Sequence, residues 1–465
     1  TEDRNYPDAY KYRRWVIDSF NNDRPYDEFI RLQLAADHLV VDETSSDLDA
    51  TGFLTLGRRF LNNPHDIIDD RIDVVTRGLM GLTVTCARCH EHKYDPIPMA
   101  DYYSLYGVFD SSQTTDKQSI RLVDVDRPHD AHLLVRGNPA NRGDRVPRRF
   151  LAFLTGPEPE PFQRGSGRLE LAAAIASADN PLTARVFVNR IWGHLMGTHL
   201  VETPSDFGVR CDAPAQPEAL DYLAVRFVDS GWSMKHLVRM IVTSSVYRQA
   251  SESTLTDGSG AQHPHPNVAI DQENRLFWRM NPRRVDFESL RDAMLAVSGE
   301  LQLEPVGGPS VQIEQVPSPP QRTVYAFIDR QNLPGLFRTF DFAGPDTHAP
   351  KRPNTAVPQQ PLYLMNSQFV LATAEAIATR VSVEQCADID LAIEKIYASV
   401  LQRSPTQREM ELARNYVETG QAETGQAGSE SEQAMGETGP QARSLDIWAR
   451  LAQVLVMSNE FATID

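Results

Sequence analysis

Apolar residues recur three and four positions apart along most of the chain, the spacing of amphipathic helices. Between Asp8 and Leu39 they fall into two groups separated by Asn21-Asn22-Asp23-Arg24-Pro25. Trp15, Val16 and Phe20 share one side of the first; Phe29 with Leu32 and Ile30 with Leu34 form the buried face of the second. Pro25 belongs in the first turn of that second helix, where its missing N–H costs little. Asn63-Pro64-His65-Asp66 reads as another helix start, and Ile68, Ile72, Val75, Leu79 and Leu82 predict a long helix running towards Cys86. Asp95-Pro96-Ile97-Pro98 stops it, and Met99–Phe109 begins the next.

The pattern then weakens. Residues 111–170 are rich in Arg, Asp, Pro and Gly, as in Arg136-Gly137-Asn138-Pro139, with a short β element expected at Leu151–Leu154. Helical periodicity returns at Leu182–Leu195, Pro217–Asp229, Met234–Tyr247 and Val285–Ser298, and closes the chain at Leu445–Met457. Ser251–Pro266 reads as a loop and Thr323–Ile328 as the best strand candidate. Glu418–Arg443 holds almost no apolar residue and repeats Glu-Thr-Gly, so a disordered loop is expected there. The prediction is a mainly α fold: two helical bodies joined by an irregular Pro/Gly/Arg-rich connector with a few short β-strands. The divisions expected are residues 1–112, a connector at 113–175, and a second helical domain at 176–465 with the loop at 418–443.

Composition narrows the function. The 465 residues carry a formal net charge of −17, which argues against a nucleic-acid backbone as partner, since such binding relies on Lys and Arg. No apolar run is long enough to span a bilayer. The chain starts without a methionine and enters an amphipathic stretch almost at once, so more sequence is expected upstream. Gly-x-Ser-x-Gly, His-Glu-x-x-His, phosphate-loop and dinucleotide fingerprints are all missing from the sequence.

One pentapeptide carries chemistry. Cys86-Ala87-Arg88-Cys89-His90 has the order in which two thiols add to the vinyl groups of one haem and the next imidazole reaches the iron. The same Cys-x-x-Cys is also half of a metal knuckle, and with His90 and His92 it offers a haem-free zinc or copper site. Cys211 and Cys386, the remaining cysteines, are single and far apart in sequence, and either pair or stay free. On a helix His92 would point away from His90, so with Lys93 and Tyr94 it is expected at the haem edge, Lys93 facing a propionate. Candidates for the other face of the iron are Met99, Met365, His65, His194 and His348, of which His348 has the best context, a polar Pro-bounded loop. Covalent haem attachment takes place outside the bacterial cytoplasm, so the motif points to a periplasmic or cell-surface protein.

A second constellation is Asn189-Arg190-Ile191-Trp192-Gly193-His194. On a helix Arg190 and His194 share a face, as do Asn189 and Trp192. Together they would suit an anionic sugar, guanidinium to acid group and indole to ring. The competing reading pairs Arg190 with a buried carboxylate such as Asp206 and puts Trp192 in the core.

The segment Gly81-Leu82-Thr83-Val84-Thr85-Cys86-Ala87-Arg88-Cys89-His90-Glu91-His92-Lys93-Tyr94-Asp95-Pro96-Ile97, followed by Asp101-Tyr102-Tyr103, resembles exported planctomycete-type proteins in which a cytochrome c module precedes two paired domains of unknown function. Asn180-Pro181-Leu182 through Trp192, Thr203-Pro204-Ser205-Asp206-Phe207-Gly208, Ser230-Gly231-Trp232-Ser233, Leu290-Arg291-Asp292-Ala293, Pro358-Gln359-Gln360 and Ser458-Asn459-Glu460-Phe461 extend the likeness over nearly the whole chain. Cys211 and Gln216 depart from it, standing where a glycine and a histidine are expected. The motif predicts covalent haem c, and the resemblance implies export, haem-linked redox chemistry and the company of polysaccharide-degrading genes, with a redox partner protein or the upstream cytochrome module as the expected partner. Three readings follow: electron transfer or haem-linked oxidation of a carbohydrate-derived substrate, a haem-free metal enzyme, and a non-catalytic surface scaffold.

Overall fold

A computed structural model describes residues 6–116, 119–156, 158–257, 260–304, 306, 308–383, 386, 388–430 (side chains to 420) and 445–465. The fold is mainly α, with strands only as short antiparallel pairs among the described residues. Two compact units divide between Asn281 and Pro282; the second ends at Ile464.

The first unit begins with α1 (Ala9–Asn21) and α2 (Tyr26–Leu39), broken as the sequence predicts, with Pro25 as the N-cap of α2. Trp15 is buried, whereas Phe20 at the end of α1 is exposed. Next come α3 (Pro64–Met80) and α4 (Met99–Asp110). Asn63 caps α3 by accepting the His65 N–H, with Pro64 just inside the helix. Contrary to the expectation of a helix reaching Cys86, α3 stops at Met80. Gly81 takes a left-handed conformation (φ +64°), and the Cys86 motif lies on a short 3-10 turn, Val84–Arg88.

The connector supplies the hairpins β1–β2 (Ser112–Thr114, Leu122–Asp124) and β3–β4 (Ala131–Leu134, Arg142–Val146). Leu151–Leu154 is no strand: Asp101, fully buried, accepts the Ala152 N–H at 2.9 Å and starts a single helical turn, Ala152–Thr155. Then follow α5 (Arg168–Ile175), α6 (Thr183–Met196), α7 (Pro217–Asp229) and α8 (Met234–Val242), the last shorter than its apolar pattern suggests. The segment read as a loop at 251–266 contains a hairpin, β5 (Thr254–Thr256) with β6 (Gln262–Pro264). Aromatic stacking joins the early and late helices of this unit: Tyr26 on Phe187 at 3.9 Å, Phe187 on Phe227 at 5.1 Å, and Phe227 against Trp232 at 5.4 Å. Because α2 and α6–α8 share that core, residues 1–112, 113–175 and the start of 176–465 lie in one unit.

The second unit is built on α9 (Phe287–Ser298), α10 (Gln359–Asn366), α11 (Gln368–Arg380), α12 (Ile389–Val400), α13 (Gln407–Glu430) and α14 (Ile447–Val456). Helices α11 and α14 pack together through faces that include Val370, Ala374, Leu451 and Leu455. A two-residue pair, β7 (Arg283–Arg284) with β8 (Thr463–Ile464), ties its ends. Thr323–Ile328 is not a strand. Asp292 accepts both the N–H and the hydroxyl of Thr323 and holds a 3-10 turn, Thr323–Tyr325. The expected loop at 418–443 is overturned in its first part: α13 runs on to Glu430, since Glu, Gln and Ala are good helix formers and Ala413 and Val417 anchor the helix in the core. Residues 431–443 lie outside the described residues.

Candidate functional site

Gly81 builds the entry to the Cys86 motif. Its carbonyl accepts the Phe207 N–H at 2.7 Å, and a Cβ there would stand 2.9 Å from the Phe207 ring. The chain therefore turns sharply out of α3 into Val84–Arg88, whose Val84 and Ala87 are buried while Cys86, Cys89 and His90 face outward. All four cysteines are free thiols. Burial, with Asp206 nearby, pushes the Cys211 thiol pKa up.

Beneath the turn, Tyr103 donates to the Arg88 carbonyl at 2.9 Å. The Arg88 guanidinium reaches Asp66 at 2.9 Å and Asp69 at 3.6 Å. Tyr102 donates to Asp69 at 2.7 Å, and Tyr106 meets His65 Nδ1 at 2.6 Å. Burial pushes Tyr103 up to about 12, and it also raises Asp69. The connector closes over the motif at Gly137 (φ +69°), where a Cβ would be 2.8 Å from Cys89 Sγ.

The two histidines have opposite roles. His90 Nδ1 donates to the Glu91 carbonyl at 2.7 Å, which leaves the Nε2 lone pair on an exposed ring. Glu91 itself caps α4 by accepting the Met99 N–H at 2.9 Å. His92 has only 5% of its side chain exposed. Its Nδ1 accepts the Asp95 N–H at 2.8 Å and its Nε2 meets the Thr83 hydroxyl at 3.1 Å. Asp95 Oδ2 also lies 3.5 Å from Nδ1. The nearer amide decides the ring's role as acceptor there, and the other carboxylate oxygen, Oδ1, accepts the Val209 N–H at 2.7 Å. Both nitrogens of His92 thus hold the loop closed.

Lys93 and Tyr94 are exposed at the edge. The Lys93 ammonium lies 5.1 Å from the centre of the Tyr94 ring and the Arg210 guanidinium 4.5 Å from it. Sequence reasoning missed Arg210, which nothing but its contact singles out. Tyr94 (45% exposed) and Val209 (72%) add apolar surface beside the motif.

The second constellation is spread over one helix and turned inward. Asn189 is fully buried and clamps Val201 through its N–H and C=O, both at 2.9 Å. Arg190 donates to the carbonyls of Gly78 and of Arg77 (3.1 Å) at the end of α3, and reaches Pro204 O and Ser205 Oγ at 3.4 Å. Its partners are carbonyls and the Ser205 hydroxyl, not Asp206. Trp192 packs edge-on against Phe277 at 5.2 Å, and His194 is exposed in the last turn of α6. Of the other iron-ligand candidates, His65 is held by Tyr106, Met99 is half-buried at the start of α4, and Met365 and His348 are exposed in the second unit.

One further cluster was not legible in the sequence. Arg168, fully buried, forms a fork with Asp37 (2.9 and 2.7 Å) and bonds Asp124 at 2.6 Å, while His38 Nε2 lies 3.0 Å from Asp124. Among the described residues, Asp37, His38 and Asp124 form the one set of such donor atoms gathered within 4.8 Å. The guanidinium bonds both carboxylates and His38 bonds Asp124, so the cluster is an ion-pair network.

More than half of the chain, residues 167–417, matches one family model, PSD1, "Protein of unknown function (DUF1553)". The chain belongs to the PSD1 family. Residues 1–114, which carry the Cys86 motif, match PSCyt2, "Protein of unknown function (DUF1549)". These are the paired domains typical of planctomycete cytochrome c-associated proteins. No curated protein and no solved structure matches the chain. In this PSD1 protein no helix of the described residues is long and apolar enough to cross a membrane.

Proposed function

We propose that this PSD1/PSCyt2 protein is an exported c-type haem protein, with Cys86 and Cys89 as the thioether donors and His90 as the proximal ligand. The observation that carries the reading is His90: its Nδ1–H is spent on a backbone carbonyl, so Nε2 is presented outward beside two exposed free thiols. Fixing the tautomer through the other ring nitrogen is how proteins prepare a histidine for iron. The residues fit a haem better than a lone zinc or copper ion. The donor atoms of Cys86, Cys89 and His90 are not among those gathered within 4.8 Å, whereas a porphyrin bridges separated donors. Lys93 and Arg210 supply positive charge for the propionates, and Tyr94 and Val209 supply apolar edge. The bound haem would supply one-electron chemistry, passing charge to a redox partner or the cytochrome module. A carbohydrate-derived substrate follows from the family resemblance alone. His92, with both nitrogens engaged, shapes the loop and does not serve as a ligand.

The test is expression into the periplasm with the bacterial cytochrome c maturation proteins. The expected result is a Soret band that survives acid-acetone extraction and a mass increase of one haem, both lost in Cys86→Ala/Cys89→Ala. In His90→Ala haem stays covalently bound but the iron spectrum changes. A purified protein of unmodified mass under these conditions overturns the proposal. Stoichiometric zinc in that protein would favour the knuckle.

A further inference from the structure

The second unit holds a pocket of its own, enclosing about 800 Å³, within the range of small-molecule sites of about 300–1,000 Å³. Its walls come from α9, the 313–320 loop, Leu336–Thr339, α10 and α11. Leu295 and Ile313 are buried in it, and Leu336 and Phe369 are half-buried, so the floor is apolar.

Two polar features stand against that floor. Thr373 of α11 lines the pocket, is 1% exposed, and has a buried hydroxyl with no hydrogen-bond partner. Thr379 on the same helix donates back to the Glu375 carbonyl at 2.9 Å, and Thr339, also in the wall, donates to Gly335 at 3.0 Å. That is the usual way a helical threonine satisfies itself. Thr373 does not do so, and a buried hydroxyl left unmatched costs free energy that a ligand atom would recover.

The second feature is charge. Glu300 and Glu314 stand exposed at the pocket. Glu300 accepts only from Ser298 Oγ (3.2 Å) and Glu314 only from the Leu336 N–H (3.3 Å), and neither makes an ion pair among the described residues. Two basic groups lie close; both bond neutral acceptors and so keep their charge, and Arg291 Nε has no partner. Arg291, 5.1 Å from the centre of the Phe369 ring, is buried and donates to Gln321 O, Pro319 O, Ser318 Oγ and Thr323 Oγ1. Arg380 caps α9 at the carbonyls of Ala296 and Val297.

We propose that this pocket binds a small organic cation, a protonated amine carried on an apolar body. The body covers Leu295, Ile313 and Phe369, the ammonium meets Glu314 and Glu300 at the mouth, and a polar atom of the body satisfies Thr373. This site is independent of the haem reading.

Three fluorescent probes sharing one apolar ring system test it on the full chain: dansylcadaverine (cationic), dansylamide (neutral) and dansylglycine (anionic). Dansylcadaverine is expected to bind tightest and dansylglycine weakest. Glu300→Gln and Glu314→Gln, both at exposed positions, should each weaken the amine by roughly two- to fivefold and leave dansylamide unchanged. Ala372→Trp, at an exposed position of α11 that lines the pocket, should abolish binding of all three while the helical circular dichroism is retained. Equal affinities for the three probes overturn the proposal. So does an amine affinity that Ala372→Trp does not change, or no fluorescence response at all.

Discussion

His38 sits at the edge of the buried Arg168 network, 3.0 Å from Asp124. The hydrogen bond to Asp124 raises its pKa. Burial alone would raise Asp124, but the bonds from His38 and Ser166 and the charge of Arg168 overcome it and hold that carboxyl below the usual range. The raised histidine contributes stability that is complete below its unfolded value of about 6.5 and is lost as pH rises through the folded one. The depressed Asp124 contributes above about 3.9 and fades as pH falls. In urea titrations wild type should exceed His38→Asn most near pH 6, and the gap should narrow towards about pH 9. A gap constant across that range would refute the assignment. The same attention to single rings separates His90 from His92: two residues apart in sequence, one presents a lone pair outward and the other has none left to give.

Arg190 works between elements. It ties the carbonyls at the end of α3 to the loop at Pro204 and Ser205, and that loop in turn receives Gly81 through Phe207. The Asn189–Trp192 constellation therefore supports the turn that carries Cys86. Arg190→Ala leaves those carbonyls unmatched and should cost about 3 kcal/mol in chemical denaturation. Arg190→Lys, lacking the planar fork, should recover only part of it. Substitution without loss of stability would return Arg190 to the list of ligand-binding residues. The helices that were legible bury a periodic stripe, as in α9, where Phe287, Leu290 and Met294 lie inward as their spacing demands; α5 and α10–α13 were not singled out. Short elements were not. Leu151–Leu154 and Thr323–Ile328 have strand-like composition, yet Asp101 and Asp292, distant in sequence, pull their amides into helical turns.

At the scale of the molecule, the buried residues fall into two separate cores, one from Trp15 to Met280 and one from Phe287 to Val456. Each is large enough to define a domain. Residues 282–465 expressed alone should show a helical spectrum and one cooperative unfolding transition, measured by circular dichroism. A non-cooperative melt would mean that this core is incomplete. The charge of −17 is a property of the whole surface and sets association, not fold.

The mainly α class, the helices α1–α4, α6–α9 and α14 and the Cys-x-x-Cys-His pattern were written in the sequence, because periodicity and a five-residue pattern are local properties of a chain; α5 and α10–α13 were not. The tertiary structure alone decided that α3 ends at Gly81, that Arg190 serves α3, and which histidine is free. The first two depend on partners supplied from elsewhere in the chain, Phe207 for Gly81 and the end of α3 for Arg190. The third depends on how the loop folds Glu91, Asp95 and Thr83 onto the two rings. None of these leaves a trace in the spacing of apolar residues.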